Sequence, residues 1–380
     1  MQLSVFGNLE LVDFSVSENQ EKMEKAIDLV RSQLGREYDI VIGGRHLRTE
    51  NKFRSFNPSL KSEVLGVFQK AGRDLAQPAM KAAESAFQKW SRTPPPERVK
   101  LVLEVARLLR ERRYELSAWM VLEVGKSWVE ADADLAEAVD FCEFYAREML
   151  RLAEPQPLIH YEAEENELVY IPLGVGVIIP PWNFPLAILA GMSMAAVVVG
   201  NTIILKHSSD SPAIAAQFVK ICEEVGFPPG VINFITGGGG DIGEPLVVHP
   251  RTRFVSFTGS MQVGSRIYEL AARRQPGQIW LKRVVAEMGG KDAIIVDEEC
   301  DLEEAAGGVA AAAFGFQGQK CSACSRAIVL ESIHDDFVEL LEQKTRELVR
   351  MGSVEDPPGR RSSGPSWPSS GQATMSMLFG

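Results

Sequence analysis

Hydrophobic residues follow two different patterns of spacing, one after the other along the chain. Between residues 78 and 152 the apolar positions recur at helical spacing, which predicts several helices with one buried face each. The clearest such face is formed by Val102, Val105, Ala106 and Leu109. A run of prolines at 94–96 favours the start of a helix there. Residues 1–35 are charged and predict a helical segment with a polar surface.

Beyond residue 170 the pattern of apolar residues changes to short runs that alternate with helical stretches such as 212–225. These runs predict strands at 174–179, 202–206, 230–235, 253–257, 283–286 and 292–296. An earlier run at 38–43 predicts one more short strand. Because strands that alternate with helices form βαβ units, we predict an α/β fold with an open, parallel, Rossmann-like sheet. Ligands of such sheets bind at the carboxyl ends of the strands.

The stretch from 168 to 205 contains no charged side chain and exceeds the roughly 20 residues that a membrane helix needs. However, Pro172, Pro180, Pro181 and Pro185 interrupt it, and a membrane-spanning segment must satisfy its own backbone hydrogen bonds. Buried parallel strands also appear as continuous apolar runs. We therefore predict a strand, a loop, a buried helix and a second strand inside the core, and no membrane partner.

Composition narrows the class of protein further. The 380 residues are enough for two domains, and 45% hydrophobic with 24% charged residues is typical of a globular protein. A net charge of −11 argues against a nucleic-acid partner, which would require clustered Lys and Arg. Five scattered cysteines favour a reducing, cytoplasmic location. The first residues include acids and lack the basic start of a secretion signal.

The end of the chain differs from everything before it. Of the last 24 residues, from Pro357 onward, 14 are Pro, Gly or Ser, and no helical or strand period is visible. Such a composition cannot bury enough apolar surface to order itself. We assign 353–380 to a divergent tail and expect disorder from Pro357 onward.

The segment GQKCSACS, residues 318–325, contains a pair of cysteines with two residues between them, Cys321 and Cys324. Taken alone, this pair has several interpretations. A zinc site would need two further ligands, and no histidine has a suitable spacing, so we expect no metal. A redox pair lacks the usual strand–helix context near the N-terminus. Two small buried residues or a catalytic thiol are the remaining alternatives.

Three other segments combine chemistry with a position just after a predicted strand. In AEMGGK (286–291), Glu287 is either a water-facing carboxylate or a general base. In PPWNFP (180–185), Asn183 lies either in a rigid turn or at an oxyanion hole. In FTGS (257–260), the glycine and serine begin a helix whose N–H groups attract phosphate.

Taken together, these four segments resemble the aldehyde dehydrogenase superfamily in order and approximate spacing, from about Tyr38 to Gly352. The segments FGFQGQKCSACSR and GGKDAIIVD are similar to the branch of 1-pyrroline-5-carboxylate dehydrogenases. That branch oxidises glutamate γ-semialdehyde to glutamate in proline breakdown. The resemblance implies a small-molecule aldehyde substrate and a homo-oligomeric assembly.

The resemblance also implies a role for individual residues. Cys321 would be the nucleophile, Glu287 the general base and Asn183 an oxyanion donor, while Ser322 would contact the substrate carboxylate. The thiolate would attack the aldehyde, transfer of a hydride to the nicotinamide would leave a thioester, and water would hydrolyse that thioester. The residues implied to bind NAD are Ile179, Pro180, Trp182, Lys206, Ser209, Phe257, Gly259, Ser260 and Gly264.

This sequence departs from the family's pattern in two places. After Lys206 the family usually has Pro, a small residue and Glu, whereas this chain has His207, Ser208 and Ser209. Loss of that glutamate removes a repulsion from a 2′-phosphate, so we expect NADP to be accepted alongside NAD. Asp210 could partly restore the repulsion, and we expect His207 to be an exposed loop residue.

The second departure is length, since the family's pattern continues well beyond the region that matches Gly352. We therefore expect a truncated or frameshifted chain: an NAD(P)-binding domain over 1–286, with an oligomerisation hairpin at 151–170, and a partial catalytic domain over 287–352. Three alternatives stay open: a dehydrogenase for another aldehyde, an inactive fragment that binds cofactor or a full-length partner, and a thiol redox protein.

Overall fold

The structure is a computed structural model that describes residues 3–349 and 352–357. Its helices are α1 (Ser17–Arg31), α2 (Ala76–Trp90), α3 (Pro95–Glu111), α4 (Arg113–Val124), α5 (Trp128–Ala153), α6 (Ala187–Val198), α7 (Pro212–Val225), α8 (Glu244–Val248), α9 (Met261–Ala272), α10 (Leu302–Phe314) and α11 (His334–Leu348). Its strands are β1 (Arg36–Tyr38), β2 (Ile40–Ile42), β3 (Arg45–Leu47), β4 (Lys52–Asn57), β5 (Leu60–Gln69), β6 (Val175–Ile179), β7 (Thr202–Lys206), β8 (Ile232–Ile235), β9 (Thr252–Thr258), β10 (Arg283–Glu287), β11 (Asp292–Val296) and β12 (Cys324–Val329).

The main sheet has seven strands in the order β10-β9-β6-β7-β8-β2-β3. The first five strands in this order run parallel to one another, and β2 pairs antiparallel with both β8 and β3. From β6 the chain adds β7 and β8 on one side and then crosses over to place β9 and β10 on the other side. The predicted α/β fold with a mainly parallel sheet is confirmed.

The uncharged run between residues 168 and 205 lies in the centre of this sheet. It contains β6, a proline-rich loop, α6 and β7, and every residue of β7 is buried. Parallel strands are covered by helices on both faces, which explains why these residues are continuously apolar. Across the described residues, no helix combines the length and the apolar character needed to span a bilayer.

A second, smaller α/β unit follows the main sheet. Strands β11 and β12 form a parallel pair of their own, against which α10 and α11 pack. Residues such as Val296, Val309 and Phe337 form a separate core there. The change of sheet falls between Glu287 and Asp292. The domain division at residue 286 stays a prediction.

Several elements near the N-terminus differ from our expectations. The predicted strand at 38–43 is two strands in two sheets, because the chain bends between Tyr38 and Ile40. We did not predict β3, β4 and β5, which occupy most of 45–69. Helix α1 covers only part of 1–35. Residues before it run along α5, where the backbone N–H of Leu9 donates to Asp140 Oδ1 over 2.9 Å.

The predicted hairpin at 151–170 is not formed within this chain. Residues 151–153 end α5, and 154–170 contain no strand, only a turn in which the N–H of Glu164 donates to the carbonyl of Tyr161. Among the described residues, the two arms of this segment pair neither with each other nor with another strand. Its pairing with another subunit stays a prediction.

Residues 352–357 lie against α1 and β4. Val354 is buried, Glu355 forms an ion pair with Arg31, and the amide of Asn57 donates to Glu355 Oε1 over 3.1 Å. These contacts involve the first residues of the tail that we predicted over 353–380, and that division of the chain stays a prediction. The remainder of that prediction, from residue 358, lies outside the described residues.

Candidate active site

The predicted site residues converge on the carboxyl edge of the main sheet. Strand β6 lies between β7 and β9, and Ile179 pairs with Phe257 in adjacent strands. The segments that follow β6, β7, β9 and β10 therefore emerge side by side. Between β6 and β9 the direction of chain growth reverses, and open sheets bind ligands in the crevice at such a reversal.

The turn between β9 and α9 is closely packed and leaves the N-terminus of α9 exposed. Ser260 is the exposed N-cap residue of α9, and its Oγ accepts the N–H of Val263 over 3.3 Å. A Cβ atom at Gly259 would meet the Phe257 ring at 2.6 Å, and one at Gly264 would meet Met288 Sδ at 2.7 Å. This exposed helix N-terminus suits a pyrophosphate, so the residues fit a dinucleotide.

The end of β7 presents a buried cation beside the same crevice. Lys206 is only 8% exposed, and burial lowers the pKa of its ammonium, an effect that Asp210 opposes. Ser209 Oγ donates to the Gly237 carbonyl over 3.4 Å, so the glycine-rich loop after β8 borders this corner. Asp210 is exposed.

Our expectation that His207 is exposed is wrong. The imidazole is buried, with Nε2 lying 3.2 Å from the Pro185 carbonyl and Nδ1 3.4 Å from Ser211 Oγ. Burial lowers the pKa of His207 to about 4. The ring connects the end of β7 to the proline-rich loop after β6. The residues next to His207 in the sequence do not reveal this contact, because Pro185 lies 22 positions earlier.

That proline-rich loop contacts the segment that precedes the candidate nucleophile. Asn183 Nδ2 donates to the carbonyl of Gln319 over 2.8 Å, across 136 positions in the sequence. Only Lys320 separates Gln319 from Cys321. The structure therefore brings the predicted oxyanion donor and the predicted nucleophile to the same place.

Cys321 lies on an exposed turn that begins with an unusual backbone. Phe316 and Gln317 have positive φ values of 48° and 53°, and Gly318 follows with 70°. Non-glycine residues rarely adopt this left-handed region, and when they do they cluster at functional sites. The thiol of Cys321 is free and exposed, as is the neighbouring Ser322, whereas Cys324 is buried at the start of β12.

Glu287 is the last residue of β10 and is exposed. Its carbonyl accepts the N–H of Gly259 over 3.0 Å, which joins it to the β9–α9 turn. Three residues further on, a Cβ at Gly290 would meet the Cys321 carbonyl at 2.8 Å. The chain thus passes from the dinucleotide crevice to Glu287 and on to the backbone of the candidate nucleophile.

Sequence reasoning missed one wall of the site. A cleft of about 500 Å³ lies between Trp182, Ser209 and Gln319 on one side and the β4–β5 hairpin on the other. Glu123 is buried at its base and accepts the N–H groups of Ala213 and Ile214, and burial raises its pKa to about 7. Strand β4 has no apolar alternation, because two of its buried positions are the polar Ser55 and Asn57. The apolar run at 64–68 in β5 was the signal that could have revealed this hairpin.

A family model described as "Aldehyde dehydrogenase family" matches residues 46–368. The chain belongs to the aldehyde dehydrogenase family. That match begins later and ends later than the resemblance that we inferred over 38–352. No group of three or more His, Cys, Asp or Glu side chains that could hold a metal ion occurs within the part of the chain that the structure describes.

Individual relatives identify the branch that we predicted. A 1-pyrroline-5-carboxylate dehydrogenase of Geobacillus thermodenitrificans is 53% identical over 345 residues, which are 91% of this chain and 66% of that protein. The solved structure of the 1-pyrroline-5-carboxylate dehydrogenase from Thermus with bound NAD has a TM-score of 0.92 at 47% identity. It is covered over 69% of its length, against 94% of this chain. The Mycobacterium tuberculosis enzyme, at 28% identity, has a TM-score of 0.87 over 94% of this chain and 67% of that one.

This chain therefore spans about two thirds of the length of those aldehyde dehydrogenases. Within that span, the family resemblance and the α/β fold that we predicted are confirmed. The roles of single residues stay predictions, which the geometry above now makes specific enough to test.

Proposed function

We propose that this chain is an NAD-dependent dehydrogenase that oxidises L-glutamate γ-semialdehyde, the open form of 1-pyrroline-5-carboxylate, to L-glutamate. The observation that carries the proposal is the contact of the Asn183 amide with the turn of Cys321, beside the dinucleotide crevice. Relatives named 1-pyrroline-5-carboxylate dehydrogenase, at 53% identity, support the choice of substrate.

In this mechanism the Cys321 thiolate attacks the aldehyde carbon and forms a thiohemiacetal. An asparagine amide has two N–H donors, so Asn183 can hold Gln319 with one and the developing oxyanion with the other. NAD, when bound, supplies the hydride acceptor. Glu287 takes a proton from the water that hydrolyses the thioester, releasing the carboxylate and freeing the thiolate of Cys321.

The cofactor would lie across the crevice between β6 and β9. Its pyrophosphate would meet the N-terminus of α9 at Gly259 and Ser260, with Gly264 and Phe257 beneath. Its adenosine ribose would approach Lys206 and Ser209, and the loop from Ile179 through Pro180 to Trp182 would border the remainder. These assignments follow from the resemblance and are consistent with the exposure of the α9 N-terminus.

We infer further that NADP is accepted alongside NAD, because Ser209 carries no negative charge. Replacement of Ser209 by Glu would place a carboxylate near the ribose and should reduce kcat/KM for NADP more than for NAD. Comparison of initial rates with both cofactors measures this. An equal loss with NAD and NADP would contradict the assignment of Ser209 to the ribose.

Ser322 is proposed to contact the substrate carboxylate, since it is exposed next to the nucleophile. A panel of aldehydes with and without an anionic group distinguishes glutamate γ-semialdehyde from another aldehyde. Ser322→Ala should raise KM for the anionic substrate and leave that of a neutral aldehyde of similar length unchanged.

Self-association is part of the same proposal. Segment 151–170 carries exposed apolar side chains, among them Ile159, Tyr161 and Val169, which a second copy of the chain would cover. Sedimentation of the chain and of Val169→Asp would detect an assembly through this segment.

The decisive experiment removes the thiol. Cys321→Ala should abolish formation of reduced cofactor while NAD binding, measured by calorimetry, persists. The matched control is Cys300→Ser, which removes another exposed thiol away from the site and should retain turnover.

Mass spectrometry after mixing with aldehyde and NAD should show an acyl adduct at Cys321, with a longer lifetime in Glu287→Gln. Turnover by Cys321→Ala would refute the mechanism. Binding of NAD by the unaltered chain without an acyl adduct would assign it to cofactor binding alone.

A further inference from the structure

Behind the two catalytic segments lies a lysine that no step of the mechanism uses. The Lys126 side chain is fully buried between α4 and α5, and its Nζ lies 3.0 Å from Asp134 Oδ2. The same ammonium lies 4.1 Å from the ring centre of Phe184 and 4.3 Å from that of Phe316. Burying a charge is unfavourable unless it is compensated, and here one carboxylate and two aromatic faces provide the compensation.

Asp134 extends these contacts to the beginning of α6. Its other oxygen, Oδ1, accepts the N–H of Ala187, the first residue of α6, over 2.6 Å. A carboxylate at a helix N-terminus is favourable because the first N–H groups there lack partners within the helix. Burial raises the pKa of Asp134, and Lys126 opposes that rise.

The two rings that Lys126 touches belong to the two segments that must meet for catalysis. Phe184 directly follows Asn183, and Phe316 begins the left-handed run that leads to Cys321. The rings lie edge to face with 6.5 Å between their centres, and Trp182 packs on Phe316 at the same distance. One ammonium therefore contacts both the loop of the amide donor and the turn of the nucleophile.

The turn needs such support because positive φ values at Phe316 and Gln317 are intrinsically unfavourable. Such a backbone persists only where its surroundings hold it. Besides the Asn183–Gln319 hydrogen bond, the aromatic contacts around Lys126 join this turn to the loop after β6.

We propose that Lys126 is a positioning residue: paired with Asp134, it holds the rings of Phe184 and Phe316 and thereby sets the Asn183 amide against the Cys321 turn. The proposal rests on the proposed function only for its catalytic consequence. The contact between the two segments can be tested without turnover.

The first variant is Lys126→Met, which keeps the length of the side chain and removes the charge. Because it leaves a buried carboxylate unpaired, we pair it with Lys126→Met/Asp134→Asn, which removes both charges and retains an oxygen for the N–H of Ala187. The matched control is Lys220→Met on α7, whose ammonium also lies over a ring, that of Tyr38 at 5.0 Å, away from the site.

In both Lys126 variants, kcat should fall about a hundredfold, the loss typical of a misplaced reacting group, with KM for NAD unchanged. Asn183→Ala costs about a hundredfold or more alone, but should cost less than about tenfold when added to the Lys126 variants, because the two act through one geometry. Lys220→Met should keep the kcat of the unaltered chain. Unchanged kcat in the Lys126 variants, or fully additive losses, would overturn the proposal.

Hydrogen exchange distinguishes positioning from a purely structural role. Peptides over 180–187 and 314–323 should exchange faster in the Lys126 variants, while α9 and the centre of α5 should keep their protection. Faster exchange throughout α4 and α5 would show a structural role and overturn the proposal. If the unaltered chain lacks turnover, the proposed function fails, and the exchange pattern alone still decides whether Lys126 couples the two segments.

Discussion

The two parallel sheets of this protein differ sharply in how they are covered. In β6 of the main sheet, helices cover both faces, and Ile178 has 0% exposure. In β11 of the two-stranded sheet, α10 and α11 cover one face, and Ile295 is 77% exposed. The dinucleotide crevice therefore lies on a closed framework, whereas the turn of Cys321 leads into a sheet with one open face.

The two sheets therefore hold the candidate site residues in place in different ways. On the cofactor side, adjacent strands fix the residues through a ladder of backbone hydrogen bonds. On the nucleophile side, a few specific contacts position the thiol: Asn183 with Gln319, Gly290 with Cys321, and Lys126 with two rings. Rigid elements hold geometry more precisely than turns, so the second side depends more on single contacts.

The largest effect on folding should come from the closed sheet. Ile178→Ala should lower the free energy of unfolding by about 2–5 kcal/mol, because it leaves a cavity between packed layers. The matched change Ile295→Ala should stay within about 0.5 kcal/mol. Denaturant titration of both variants measures the contrast, and equal losses would show that β11 is covered in solution.

Asn183→Ala tests the nucleophile side. It removes both the hydrogen bond to Gln319 and the proposed oxyanion donor, so kcat should fall by about 10²–10³, equivalent to about 3 kcal/mol of transition-state stabilisation. The dissociation constant of NAD should not change, since the closed sheet sets the crevice. If NAD binding weakens as much as kcat falls, the two sides are not separable as described.

A smaller effect should appear in the pH dependence of stability. The folded pKa of His207 is about 4, below its ordinary value of 6.5, so between these limits the unfolded chain binds a proton that the folded chain does not. The stability that the low pKa of His207 contributes is therefore present above pH 6.5 and is lost as pH falls towards 4. The free energy of unfolding changes by at most about 1.4 kcal/mol per pH unit through this group.

His207→Gln can retain a donor towards the Pro185 carbonyl but cannot titrate, so its stability should depend less on pH in this window. Unfolding in denaturant at a series of pH values compares the two proteins. Identical slopes would indicate that His207 is protonated equally in the folded and unfolded chains.

The coverage of a strand by helices also decided whether the sequence could predict it. Strands β6, β7 and β9 could be predicted within about two residues because covered parallel strands are apolar throughout, and α7 was predicted at 212–225, as observed. Strand β3 was missed because it has only three residues, and β4 because two of its buried positions are the polar Ser55 and Asn57. The apolar run at 64–68 in β5 could have been recognised. The exposure of His207 was predicted wrongly because its burial comes from the loop that contains Pro185, 22 positions earlier in the chain.

At the site, three of the four motifs could be located by their position after a strand, whereas the cysteine segment follows a helix, and the contacts between motifs could not be predicted. The Asn183–Gln319 hydrogen bond spans 136 positions and the Lys320–Glu130 ion pair spans 190. No local period encodes such pairs. The family resemblance pointed to Asn183 and Cys321 as site residues. The structure adds that the Gln319 carbonyl and the buried Lys126 ammonium join their two segments.

The left-handed run before Cys321 limits how this protein can be redesigned. A β-branched side chain at position 317 would clash with its own backbone at a φ of 53°, whereas glycine would fit there without cost to the turn. At position 316 glycine would relax the backbone but delete the ring on which Lys126 rests. Substrate-range engineering by randomising this loop would therefore find far fewer usable sequences than the exposure of the neighbouring Cys321 suggests.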